Sequence, residues 1–130
     1  MSKLVYFLKF IFHTSVILLI ILSLYPGSLM GLLLYQDLTK QPDLIENPFG
    51  TSINHFISYF YVSLLGFCLY LRNESFHRLV YGLFALSIIL ETLQFIIPIR
   101  TFQFYDLLGN ILGVLLSFFL VKIYLHFNKT

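Results

Sequence analysis

The sequence predicts an all-α integral membrane protein: four transmembrane helices in an antiparallel bundle, with both termini in the cytoplasm. Three observations carry this expectation. First, 58% of the 130 residues are hydrophobic, only 11% are charged, and the mean hydropathy is +0.87. A soluble domain carries about 25% charged residues, and a chain of this length cannot bury so much apolar surface on its own. Second, the apolar residues gather in four runs, each close to the roughly 20 residues a helix needs to cross a bilayer. Third, the basic residues sort by loop. Lys3, Lys9, Arg72, Arg78, Lys122 and Lys129 fall on one side of a four-span arrangement, and Lys40 and Arg100 fall on the other. The positive-inside rule puts the larger group in the cytoplasm.

The expected spans are about 4–25, 53–71, 79–97 and 105–127, within a single domain covering 1–130. The first run holds Lys9 and His13. It lacks a small-residue cleavage site and is followed by LYPGSLMGLLLY, so it reads as an uncleaved helix rather than a signal peptide. The stretch after Pro26 and Gly27 is either an interfacial turn of helix or added length for the first span. The external loop, 26–52, carries three of the four prolines and the turn signals QPD and NPFG. The second run has no charge after His55, the third contains Glu91, and the fourth has Asp106 near its start and Lys122 near its end. Cys68 is the only cysteine, which excludes an intrachain disulfide, and it lies in an apolar run where it packs or faces lipid. The net charge of +2 gives no basic surface for nucleic acid.

The segment ETLQFIIPIRTFQFYDLLGNILG, residues 91–113, sets polar side chains among apolar ones. A charge at mid-membrane costs about 2.5–3.5 kcal/mol on insertion scales, so such groups face a bundle interior and find partners. His55 and Tyr59 are four residues apart, Glu91 and Gln94 three, Asp106 and Asn110 four, so each pair shares one helix face. At about 1.5 Å rise per residue all of them lie at one depth, toward the outer side. These faces, with Arg100, predict a polar pocket that opens outward. Arg100 is expected to pair with Asp106 across the short connection. Each residue also has a plainer reading. Asp106 opposes a helix dipole, Asn54 is an N-cap, Arg100 is an interfacial anchor, and Gln94 and Asn110 are interhelical glue. Gly109 and Gly113 form a GxxxG that allows a close helix contact, whereas Gly66 has no such partner spacing.

These residues resemble the VanZ-like membrane proteins, whose signature has the form E-x-x-Q, then P-x-R, then D-x-x-x-N-x-x-G. Glu91, Gln94, Pro98, Arg100, Asp106, Asn110 and Gly113 occupy those positions. An upstream element of the form D-K-x-x-H-F-x-x-Y is matched by His55, Phe56 and Tyr59, while Thr51 and Ser52 replace its Asp and Lys. Tyr25–Gly27 is similar to the family's exit from its first span. The resemblance covers most of the chain. It implies a multi-pass protein of the bacterial inner (plasma) membrane with a role in the cell envelope, since the family takes its name from a protein that lowers susceptibility to the glycopeptide antibiotic teicoplanin.

Three function classes stand at this stage. The first is binding of an amphiphilic or anionic envelope ligand, a lipid or cell-wall precursor headgroup, by His55, Tyr59, Glu91, Gln94, Arg100, Asp106 and Asn110. The second is an intramembrane enzyme with Glu91 or His55 as general base. The third is a structural membrane subunit whose polar residues lock helices together. One histidine with two carboxylates is a thin set of metal ligands, so no metal and no cofactor are expected. Expected partners are the bilayer itself and the ligand. Four spans are few for a transporter, which makes a homodimer a candidate arrangement.

Overall fold

The computed structural model describes residues 3–128 apart from 44 and 47. Lys129 of the basic group and Asn47 of the NPFG turn therefore lie outside the described residues. Those residues form helices and loops, with no strand. Helix α1 is Lys3–Leu24, α2 is Leu29–Tyr35, α3 is Ser52–Tyr70, α4 is Phe76–Leu93, and α5 is Phe104–Phe127; a 3-10 turn, Gln94–Ile96, extends α4. The four long helices are each long and apolar enough to cross a membrane.

Local chemistry explains the boundaries. Pro26 disfavours helical geometry at Tyr25, and Gly27 takes φ +76, which ends α1. The short helix α2 then starts at once, because the Ser28 hydroxyl accepts a hydrogen bond from the Gly31 amide at 2.9 Å. It closes at Gln36, left-handed at φ 54, whose amide reaches the Gly31 and Leu32 carbonyls. The expected external loop thus contains a helix. The third span begins at Phe76, three residues before the expected start. Phe76 is buried, stacked on Phe118 with ring centroids 6.4 Å apart and edge-on to Phe67 at 5.6 Å. That packing draws His77 and Arg78 into the first turn. Asn54 is not the cap of α3. Thr51 holds that position without a side-chain bond, and the Asn54 amide donates to the Pro42 carbonyl at 2.8 Å, pinning the loop to the helix.

The core runs along α3 and α5. A Cβ at Gly109 would lie 2.7 Å from the Ser52 carbonyl oxygen, and one at Gly113 would lie 2.6 Å from that of Phe56 and 2.8 Å from the Phe60 nitrogen. Ser117 continues this line, its hydroxyl donating to the Phe60 carbonyl at 2.9 Å. The register therefore rises together along the two helices, which lie backbone to backbone in the same direction. Gly66, which lacks the partner spacing of Gly109 and Gly113, also has a close neighbour: a Cβ there would lie 2.6 Å from the Phe12 ring of α1. That ring fills the groove which the missing side chain leaves on α3. Val62, Phe67, Val80, Leu83 and Val114 complete the apolar core.

Candidate functional site

Four of the seven candidate residues form one buried network at the start of α5. Asn110 is its centre. Its amide nitrogen donates to Glu91 Oε2 at 3.3 Å and to the Ser87 carbonyl at 3.4 Å, both on α4. The Ser87 carbonyl only accepts, so the amide orientation is fixed and Oδ1 faces His55 Nδ1 on α3 at 3.1 Å. His55 Nδ1 then carries a hydrogen and donates it. The other ring nitrogen, Nε2, faces Asp106 Oδ2 at 3.4 Å. Two bare acceptors would repel at that distance, so a proton lies on one of them. Asp106 Oδ1 accepts from the Ser52 hydroxyl at 2.5 Å, and Glu91 Oε1 accepts from the Gln103 amide at 3.3 Å. Glu91 and Asn110 are each 1% exposed and Asp106 is 3% exposed. Burial of this kind is tolerable because each member has a partner.

The remaining three candidates stand apart from that network. Tyr59, Gln94 and Arg100, together with His55, line a cavity of about 240 Å³ at the same end of the molecule. Leu19 and Leu22 of α1 and Leu29 and Met30 of α2 supply apolar lining, and Ser23, Ser28, Gln41, Asn54 and Ser58 add smaller polar groups. Tyr59 is 1% exposed and its hydroxyl has no hydrogen-bond partner among the described residues. His55 thus belongs to both groups: one side of its ring enters the network and the residue also forms part of the cavity wall.

Arg100 does not pair with Asp106 as the short connection led one to expect. Its guanidinium donates to the Leu22 carbonyl at 2.6 Å and, through Nε, to the Tyr25 carbonyl at 3.3 Å. Helix α1 ends here with no basic residue in its last turn. Arg100 supplies from a distant loop the cation that a helix C-terminus favours. Asp106 meanwhile is already met by Ser52 and His55. Burial pulls the Arg100 pKa below its ordinary value, and the fields of Glu91 and Asp106 push it back up. The backbone just before it is strained: Ile99, a β-branched residue, has φ 64.

Ser52 is the site residue that sequence reasoning missed. It stands where the resembling pattern has a Lys, and only that departure marked it. Its partner lies 54 residues away. The Ser87 carbonyl and the Gln103 amide are backbone groups, which no side-chain pattern announces. Among the described residues no cluster of three or more His, Cys, Asp or Glu is arranged to hold a metal ion. His55 meets its two carboxylates through different ring nitrogens, so the trio does not converge on one point.

With this geometry in view, a comparison with protein families is decisive. A VanZ/LLP1 family model matches residues 4–125. The chain belongs to the VanZ/LLP1 family. No curated protein and no solved structure matches it. The family match and four span-like helices make this a multi-pass membrane protein.

Proposed function

We propose that this VanZ/LLP1 protein holds the polar end of an amphiphilic envelope molecule, a lipid or cell-wall precursor headgroup, in the cavity between α1, α2 and α3. The observation that carries the reading is the cavity itself, lined by His55, Tyr59, Gln94 and Arg100 together with Leu19, Leu22, Leu29 and Met30 and a few smaller polar side chains. An apolar chamber with a few convergent polar groups is the usual form of a small-molecule site. At about 240 Å³ it is smaller than the 300 Å³ or so at which such sites begin, so it suits a headgroup or the end of a chain, not a whole lipid. The unpartnered Tyr59 hydroxyl is a group for which a ligand or a water would supply the missing bond.

Charge refines the class. The carboxyl groups of Glu91 and Asp106 already act on Arg100. Two of Arg100's five N–H donors already go to backbone carbonyls. No unspent positive charge awaits a simple anion, which favours an amphiphile whose polar end hydrogen-bonds. The protein would sit in the bacterial inner membrane as an antiparallel four-span bundle, with termini in the cytoplasm and the cavity outward. A change in glycopeptide susceptibility would then follow from sequestering or presenting an envelope ligand.

Native mass spectrometry of the purified protein tests this. The parent should carry an amphiphile into the gas phase, and the double variant Tyr59→Phe, Gln94→Leu should lose most of it at unchanged thermal stability. Equal occupancy in parent and variant would end the ligand reading. The hydrogen-bonded network of His55, Glu91, Asp106 and Asn110 favours a structural role for those four residues. Ligand retention in Asn110→Ala, alongside a lower melting temperature, would assign them to the lock and leave the cavity wall with the binding.

A further inference from the structure

At the end of the molecule away from the cavity, α1, α3 and α4 surround an open notch of about 340 Å³. Its lining is Phe12 and His13 from α1, Tyr70 from α3, and Ser75, Arg78 and Leu79 at the start of α4. Basic groups from two distant parts of the chain meet here. The Lys9 ammonium lies 5.0 Å over the Tyr70 ring, a cation–π distance that holds it beside the notch. Arg78 donates one N–H to the Ser75 hydroxyl at 3.1 Å, and no carboxylate among the described residues lies within ion-pair distance of it. Glu74, the acid nearest in sequence, is exposed in the turn before α4. His13 Nδ1 lies 2.6 Å from the Lys9 carbonyl. That oxygen only accepts, so Nδ1 carries the hydrogen and Nε2 is left for another partner. Phe12 and Tyr70, edge to face with centroids 6.0 Å apart, and Leu79 make the floor apolar.

We propose that this notch binds the phosphate of an anionic phospholipid. Arg78 offers its remaining guanidinium N–H groups to the phosphate oxygens, Lys9 adds a second positive charge, and His13 a hydrogen-bonding nitrogen. The aromatic floor receives the glycerol and the first methylenes of the acyl chains. The assignment does not depend on the cavity at the other end. It differs from a general attraction of basic residues to an anionic leaflet, because it requires these residues and not their basic neighbours.

The full-length protein, delipidated in neutral detergent, is titrated with phosphatidylglycerol, phosphatidylcholine or inorganic phosphate and read by native mass spectrometry and melting temperature. Phosphatidylglycerol should bind and stabilise, whereas phosphatidylcholine and inorganic phosphate at the same concentration should not. Arg78→Gln should weaken phosphatidylglycerol binding about fivefold or more, the loss expected for a charge-assisted contact, and Lys9→Gln should weaken it less. Arg78→Lys should retain part of the binding, which keeps the test decisive if the glutamine variant folds poorly. Arg72→Gln and Lys122→Gln remove basic residues that do not line the notch and should leave binding unchanged. Equal losses in those two variants would reduce the effect to bulk charge and overturn the site. Competition by inorganic phosphate would overturn the lipid assignment, as would undiminished binding by Arg78→Gln.

Discussion

Asn110 is the residue on which most of the buried polarity depends. Its side chain bonds to both α3 and α4, accepting from His55 and donating to Glu91 and the Ser87 carbonyl. Removing it leaves Glu91 Oε2 and the His55 Nδ1 hydrogen buried without that partner, and each such group costs about 1–3 kcal/mol. Asn110→Ala is therefore expected to lower stability by about 2–4 kcal/mol, measured by reversible unfolding in micelles. Gln94→Ala should cost much less, since the Gln94 side chain makes no hydrogen bond among the described residues. Equal effects would remove the lock. Asn110, Glu91, Asp106 and His55 were legible in the sequence because a polar side chain within an apolar run must be satisfied, and helical spacing places such groups on faces. The pairing was less legible. Arg100 and Asp106 are close in sequence and opposite in charge, yet the acid is taken by Ser52 and His55 and the guanidinium by the end of α1. Those partners are a hydroxyl and two carbonyls from distant segments, which sequence proximity does not reveal.

The contact between α3 and α5 is made by absence of side chains. At Gly113 an added Cβ would strike backbone atoms of Phe56 and Phe60, which cannot move without the whole helix. At Gly66 it would strike the far edge of the Phe12 ring, which can rotate or shift with α1. At Gly82 it would meet nothing within 4 Å. Gly113→Ala should thus destabilise by about 1–3 kcal/mol as overpacking, Gly66→Ala by less, and Gly82→Ala should be neutral or slightly stabilising from helix propensity. Melting temperatures in one detergent rank the three; any other order would mean that α3 and α5 do not approach this closely. The loop at Ile99 invites the opposite change. Its left-handed backbone costs a β-branched residue about 1–2 kcal/mol or more, so Ile99→Gly should raise the melting temperature, and a fall would show that the exposed Ile99 side chain outweighs the strain. The long helices were legible because their apolar runs match the span length. The helix α2 was less so: seven residues are too few to show a period, and it stops at Gln36, a residue that does not announce a left-handed cap.

At the scale of the molecule, the two ends differ in chemistry. One end gathers the Tyr25–Ser28 exit of α1, Pro42, Asn54, Gln94 and Arg100 around the cavity. The other gathers Lys9, His13, Tyr70 and Arg78 around the basic notch. Helix α1 runs between them; Phe12 fastens its middle and the Arg100 bonds fasten its C-terminal end. Arg100→Ala should therefore loosen the C-terminal end of α1, seen as faster proteolysis near Pro26 at little change in the unfolding of α3 and α5. Lys9 and Arg78, which the loop charges assign to one side, thus lie at one end of the molecule. The loop charges predict an orientation, and accessibility from each side of the membrane tests it. Cys68 is exposed on the surface of α3 and must be removed first. In a Cys68→Ser background, a cysteine at Gln41, on the cavity wall, should react with an impermeant thiol reagent in intact cells. A cysteine at Asn73, in the turn between α3 and α4, should react only after the membrane is opened. The reverse pattern would turn the cavity to the cytoplasm. The notch would then face the outer leaflet, against the bias that draws lysine and arginine inward, and a ligand for the cavity would have to be sought among cytoplasmic precursors.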